Sequence, residues 1–217
     1  MHIYANGCSM MNCTQVEGVT NTVCDLVRDH MGFDQVINDA QAGSGMDRIV
    51  WSTQSHYIHH PQHCDTHLAI IQCTAPSRVD YPTTQGTHHR WDWGMLRQRP
   101  HMTQSMHNCA WDSWFVQRWY TAVITLQDFF RVRGIRWVMY SGLAHPRYLE
   151  ADDHTWRAWQ SQVALPNYYN IEGESHYDQV LRTGHTAPDG HHPSNQGNVE
   201  WSHEIVRHIV TVYPDQF

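Results

Sequence analysis

Two periods of apolar residues alternate along the chain. Short apolar runs occur at Ile3 to Ala5, Phe33 to Ile37, His67 to Cys73 and Ile135 to Tyr140, and each ends in small or turn-forming residues. Between them lie longer stretches with apolar residues three and four apart. The runs predict strands, and the stretches predict helices over 16–31, 46–57, 111–133 and 194–213, with shorter ones near 156–163 and 175–182. The run at 67–73 is almost unbroken, as expected of a strand buried on both faces. Trp111, Trp114, Phe115, Trp119, Val123, Leu126, Phe129 and Phe130 mark one face of a helix that packs into the core. Gly32 and Gly134 are placed to end helices. Strands alternating with helices across long crossovers imply a mainly parallel sheet covered on both faces.

One stretch breaks the pattern. From about 80 to 106, Thr, Gln, His, Arg and Pro dominate and no period is evident. It reads as a surface excursion from a single domain over 1–217, since long loops in compact domains usually carry function. Trp91 and Trp93 within it either stack on a sugar ring or anchor the loop.

The 217 residues suffice for one substantial core without staples. The formal charge is −7, and all 14 basic residues are arginine. Without a basic cluster, a nucleic-acid partner is not expected. Nineteen histidines make the charge sensitive to pH near neutrality. The six cysteines show no CxxC pair or regular spacing, so free thiols in a reducing compartment are expected. The first apolar run is too short for a signal peptide. No apolar run approaches the ~18 residues of a membrane span. These features together point to the cytoplasm.

Candidate chemistry begins at the first turn, Ala5-Asn6-Gly7-Cys8-Ser9. A strand ending in a tight turn presents that turn at the C-terminal edge of the sheet, where open α/β folds bind ligands. Ser9 there is either a nucleophile or the cap of the following helix. A serine nucleophile needs a base that titrates near neutrality and is held in one orientation. Asp189-Gly190-His191-His192-Pro193-Ser194 offers one. An Asp three residues before His192 can bind one imidazole nitrogen and leave the other for the serine proton. His191 competes for the same role.

With Gly7-Cys8-Ser9 at one end and Asp189-Gly190-His191-His192-Pro193 at the other, the chain resembles the SGNH (GDSL-type) hydrolases. The resemblance implies a flavodoxin-like, three-layer α/β/α sandwich and a serine esterase using Ser9, His192 and Asp189 through an acyl-enzyme. Its substrates would be small-molecule or glycan carboxylic esters, O-acetyl groups included, with no cofactor and no metal. It also implies an oxyanion hole of the Ser9 amide, a glycine after the second strand (Gly45, or the adjacent Gly43) and an Asn after the third. That Asn is missing. Cys73-Thr74-Ala75-Pro76-Ser77-Arg78 stands in its place, so Thr74, Ser77 or Arg78 is left to donate, or Arg78 to bind substrate. Cys8 replaces the Asp of Gly-Asp-Ser and is either structural or a reactive thiol.

Two other classes compete. His59-His60-Pro61-Gln62-His63-Cys64-Asp65-Thr66-His67, with His88-His89 and His191-His192, is dense in zinc-type ligands, although no HExxH spacing occurs. A non-catalytic binding or structural protein on the same fold would tolerate the altered oxyanion blocks.

Overall fold

The computed structural model describes residues 1–13, 15–85, 90–95, 112–143 and 153–216. The strands are β1 (His2–Asn6), β2 (Gln35–Asn38), β3 (His67–Cys73), β4 (Asp80–Gln85), β5 (Arg90–Met95), β6 (Arg136–Ser141) and β7 (Tyr168–Tyr169). The helices are α1 (Val23–Met31), α2 (Met46–His59), α3 (His63–Thr66), α4 (Asp112–Arg133), α5 (Asp153–Gln160), α6 (His176–Thr183) and α7 (Asn195–Val212). Five strands form one sheet in the order β2-β1-β3-β6-β7, and every neighbouring pair is parallel. This is the flavodoxin-like order, with β1 and β3 at its centre.

Side-chain alternation builds the three layers. Ile3, Ala5, Leu68, Ile70, Val138 and Tyr140 face one side, where Val23, Val27, Trp201, Ile205 and Ile209 of α1 and α7 cover them. Tyr4, Ala69, Ile71, Trp137 and Met139 face the other, against Ile49 and Tyr57 of α2 and Trp119, Val123, Leu126 and Phe130 of α4. All seven residues of β3 are buried, as its almost unbroken apolar run predicts.

Several expectations need correction. The helix expected over 16–31 begins only at Val23. Gly18 adopts φ 78°, and Thr22 with Asp25 forms a capping box that fixes the start. Val16 and Val19 extend the helical spacing outside the helix. The stretch beginning at 80, read as having no period, holds an antiparallel hairpin of β4 and β5; β4 has no apolar alternation, and that of Trp91, Trp93 and Met95 in β5 spans only six residues. Residues 96–106 and the side chains of Trp91 and Trp93 lie outside the described residues. The helix expected near 156–163 runs from Asp153 to Gln160. The two-residue β7 left no periodic signal. The thiols of Cys8, Cys13, Cys24, Cys64 and Cys73 are free.

Candidate active site

Parallel strands bring the ends of distant segments to one sheet edge. Ser9 follows β1, Gly43 lies between β2 and α2, Arg78 follows β3, Leu143 follows β6, and Tyr177 opens α6. With His191 and His192 from the loop before α7, these residues line one cleft of about 350 Å³. Ser9 and His192 also line an adjoining cleft of about 460 Å³, together with Asp189.

The turn that carries Ser9 is pinned from below. Asn6 Oδ1 accepts from the Gly7 amide at 2.8 Å, while Asn6 Nδ2 donates to Ser52 Oγ at 2.8 Å and Thr53 Oγ1 at 2.9 Å on α2. Gln72, fully buried on β3, accepts from the Cys8 amide and the Cys8 thiol, each at 3.3 Å. The amides of Met11 and Asn12 both donate to Cys8 O, closing a single helical turn around Ser9. Ser9 therefore does not cap α1; Thr22 does. Cys8 is buried in this support, the structural alternative for that residue.

The loop 185–194 is closed on itself. Thr186 and Pro193 form an antiparallel bridge, and the Ala187 amide donates to His192 O at 2.8 Å. Gly190 turns the chain at φ 73°. Asp189 Oδ1 accepts from the amides of His191 and His192 at 2.9 and 3.0 Å, and Asp189 Oδ2 lies 2.6 Å from His192 Nδ1. Those two amides, then the imidazole, hold the Asp189 carboxyl well below the usual carboxylate range. His192, not His191, is thus the imidazole oriented by Asp189.

Two residues that sequence reasoning passed over tie the ends of the chain together. Asn195 Oδ1 accepts from the Thr20 amide at 2.9 Å and Asn195 Nδ2 donates to Gly18 O at 3.1 Å. Asn198 Nδ2 donates to Asn21 O at 2.9 Å. Both sit in the first turns of α7, directly after the histidine loop, and grip the segment that follows Ser9. Among the described residues no hydrogen bond joins Ser9 to His192; such bonds are often long without substrate.

The oxyanion candidates separate clearly. The Gly45 amide is engaged: it donates to Asp80 Oδ2 at 2.6 Å. A Cβ on Gly45 would lie 2.7 Å from Arg78 O, so its glycine serves close packing against the 78–80 segment. Gly43, with φ 80°, is the glycine that lines the cleft with Ser9. Among the described residues the amides of Ser9 and Gly43 make no intramolecular hydrogen bond. Thr74 is buried and Ser77 exposed, and neither is among the residues lining the two clefts. Arg78 lines one.

A closed serine turn, an Asp–His pair and an open cleft at this edge of a 2-1-3 parallel sheet invite comparison with known folds. The psychrotrophic esterase EstA from Pseudoalteromonas sp. superposes with a TM-score of 0.58 at 10% identity, over 99% of each chain. TesA does so at 0.56 and 10% identity, over 98% of this chain and 99% of its own. A mutant of Axe2, an acetyl-xylooligosaccharide esterase from Geobacillus Stearmophilus, gives 0.51 and 12%, over 96% and 93%. The chain has an SGNH-hydrolase fold. No protein-family model matches it, and no curated protein matches it in sequence. The SGNH likeness is therefore one of backbone architecture.

Among the described residues, no group of three or more His, Cys, Asp or Glu side chains is arranged to hold a metal ion. His56, His60, His63 and His67 do cluster, but His60–His63 and His63–His67 are stacked ring on ring rather than converging on a point. His88 and His89 lie outside the described residues. Among the described residues no helix is long and apolar enough to cross a membrane.

Proposed function

We propose that the protein is a serine esterase that hydrolyses a carboxylic ester of a small molecule or glycan, O-acetyl groups included, through an acyl-enzyme. Ser9 Oγ attacks the ester carbonyl as its proton passes to His192 Nε2. Asp189 holds the tautomer and stabilises the imidazolium. The amides of Ser9 and Gly43 take the oxyanion. Collapse of the tetrahedral intermediate breaks the bond to the alcohol oxygen, which leaves with the proton from His192. Water then adds to the acyl carbon, giving up its proton to His192, and the acid departs as Ser9 regains its own.

The observation that carries this reading is the 2.6 Å contact of His192 Nδ1 with Asp189 in a loop that lines the same clefts as Ser9. The fold shared with the esterase EstA agrees with it. Incubation with 4-nitrophenyl acetate and a fluorophosphonate probe tests it. Ester turnover and labelling of Ser9 are expected, and Ser9→Ala should abolish both. Full turnover by Ser9→Ala overturns the mechanism. A protein that only binds ligand in the cleft would show neither turnover nor labelling.

A further inference from the structure

Ser9, Ala42 and His192 belong to both clefts, and the two clefts differ in charge. The larger carries Glu17 and Asp189 beside Asn12 and Gln15. The smaller carries Arg78, with Tyr177 and His191, and no carboxylate is among its described lining residues.

Arg78 has no counter-ion among the described residues. Its Nη1 is shut off from water and has no hydrogen-bond acceptor. The surrounding carboxylates are committed elsewhere. Asp47 pairs with Arg118. Asp80 takes the Gly45 amide, and Asp189 takes His192. Acidic residues are not scarce in this chain, which has 21 of them against 14 arginines. The main chain that carries Arg78 is nonetheless held where it stands. Arg118 on α4 donates through Nη1 and Nη2 to Arg78 O at 3.3 and 3.2 Å, and its pairing with Asp47 ties that clamp to α2. An arginine on an anchored main chain, lining a catalytic-type cleft without a counter-ion among the described residues, suits a planar or tetrahedral oxyanion, which its fork can bind through two hydrogen bonds.

Resting on the esterase reading above, we infer that the substrate is an anionic ester, with a carboxylate or phosphate group near the scissile carbonyl bound by Arg78. The anion occupies the Arg78 cleft, and the remainder of the ester extends into the cleft lined by Asn12, Gln15 and Glu17. Glu17 and Asp189 would repel an anion placed the other way round.

Matched ester pairs read this directly. The mono-4-nitrophenyl ester of glutaric acid against 4-nitrophenyl pentanoate tests an anion on the acyl side. 4-Acetoxybenzoate against 4-acetoxybenzamide tests the alcohol side, and 4-acetoxyphenyl phosphate against phenyl acetate separates phosphate from carboxylate. In at least one pair the anionic member should be favoured in kcat/KM by about tenfold or more. That ratio should fall to near one in Arg78→Gln and be partly kept in Arg78→Lys. Calorimetric titration of glutarate and inorganic phosphate into Ser9→Ala protein reads the site without turnover. Anion binding there that Arg78→Gln removes supports the Arg78 site even where fluorophosphonate fails to label Ser9 and the esterase reading falls. Absence of both an anionic preference and anion binding overturns the inference.

Discussion

Gly7 and Gln72 share one space: a Cβ on Gly7 would lie 2.7 Å from Gln72 Cβ and 3.1 Å from Met11 Cβ. Neither contact is with a flexible side-chain tip, so Gly7→Ala must move the turn or the central strand. Gln72 also fills the space left by Gly142 on the adjoining loop, where an added Cβ would fall 2.3 Å from Gln72 Cγ. Its amide therefore packs between two glycines while its oxygen receives the Cys8 amide, one residue before Ser9. Gly7→Ala is expected to cost about 1–3 kcal/mol of stability, as overpacking does. It should also lower esterase kcat well beyond any change in KM. Chemical denaturation and steady-state kinetics check the two effects separately.

Asp189→Asn separates orientation from packing. An Asn in this place still accepts from the His191 and His192 amides through Oδ1, so the loop should close as before. Its Nδ2 donates rather than accepts, which drives His192 toward the wrong tautomer. A loss in kcat of roughly 10²–10⁴ is expected, the upper figure being that of the serine-protease triad. Because Asp189 is held ionised far below neutrality by the two amides, the acidic limb of the wild-type rate profile should follow a histidine and not a carboxyl. An unchanged kcat in Asp189→Asn argues against His192 as the base.

The parts of this molecule legible in the sequence are those with a strong local signal. β3 was readable to the residue because seven buried positions in a row leave an almost unbroken apolar run. α4 was readable because its apolar face repeats over 22 residues. The Ser9 turn and the Asp189–His192 loop were readable because turn chemistry is local. What was hidden depends on partners distant in the chain. Gly45 looks like an oxyanion glycine until Asp80 is seen to take its amide. Asn195 and Asn198 look like surface residues of a helix start until the 18–21 loop is seen against them. Gln72 reads as one polar interruption in a strand. Thr22 hid the start of α1 because Val16 and Val19 continue its spacing by coincidence.

Asp80 does for α2 what a capping side chain does within one chain segment. Gly45, the N-cap, brings no side-chain oxygen, and the Asp80 carboxylate from β4 takes its amide while also receiving a backbone hydrogen bond from Arg48. Asp80→Ala should destabilise the protein by about 1 kcal/mol, the usual value of a lost cap. It should also free the Gly45 amide. Burial, opposed by those hydrogen bonds, pushes the Asp80 carboxyl up to about 6. A raised folded-state pKa means that its favourable protonated form is present below its unfolded value near ~3.9 and lost as pH rises through about 6. Asp80→Asn keeps the acceptor and never ionises. The melting temperature of Asp80→Asn relative to wild type should therefore rise between pH 4 and 7, and a flat difference would show that the carboxylate is not desolvated.

The histidine cluster at the opposite end of the sheet sets a larger and opposite pH dependence. His2 and His67 pair in register at the start of β1 and β3, with rings 5.0 Å apart. His63 stacks on His67 at 4.0 Å, and its Nδ1 lies 2.9 Å from His56 Nε2. His56 in turn stacks on Tyr4 at 4.2 Å. Among the described residues the acid paired with His2 is Asp34, at 3.8 Å, and it is also engaged by the N-terminal ammonium at 2.9 Å. Burial first, and neighbouring imidazoles second, hold His56 and His67 down to about 4. His176, stacked on Trp201 in the core, is held down to about 3 by burial alone. In the unfolded chain each titrates near ~6.5. Between that value and about 4, the unfolded state therefore binds protons that the folded state refuses, and stability falls as pH falls. Asp80 offsets part of this loss from about pH 6 downward, and Asp189 enters only at more acid pH. A melting temperature constant from pH 7.5 to 6.5 and declining toward pH 4.5 is expected. The double variant His56→Gln/His67→Gln should flatten the decline while leaving esterase activity at pH 7.5 unchanged, because neither residue lines the Ser9 clefts. An equally steep decline in the double variant would mean that the cluster is protonated as readily folded as unfolded.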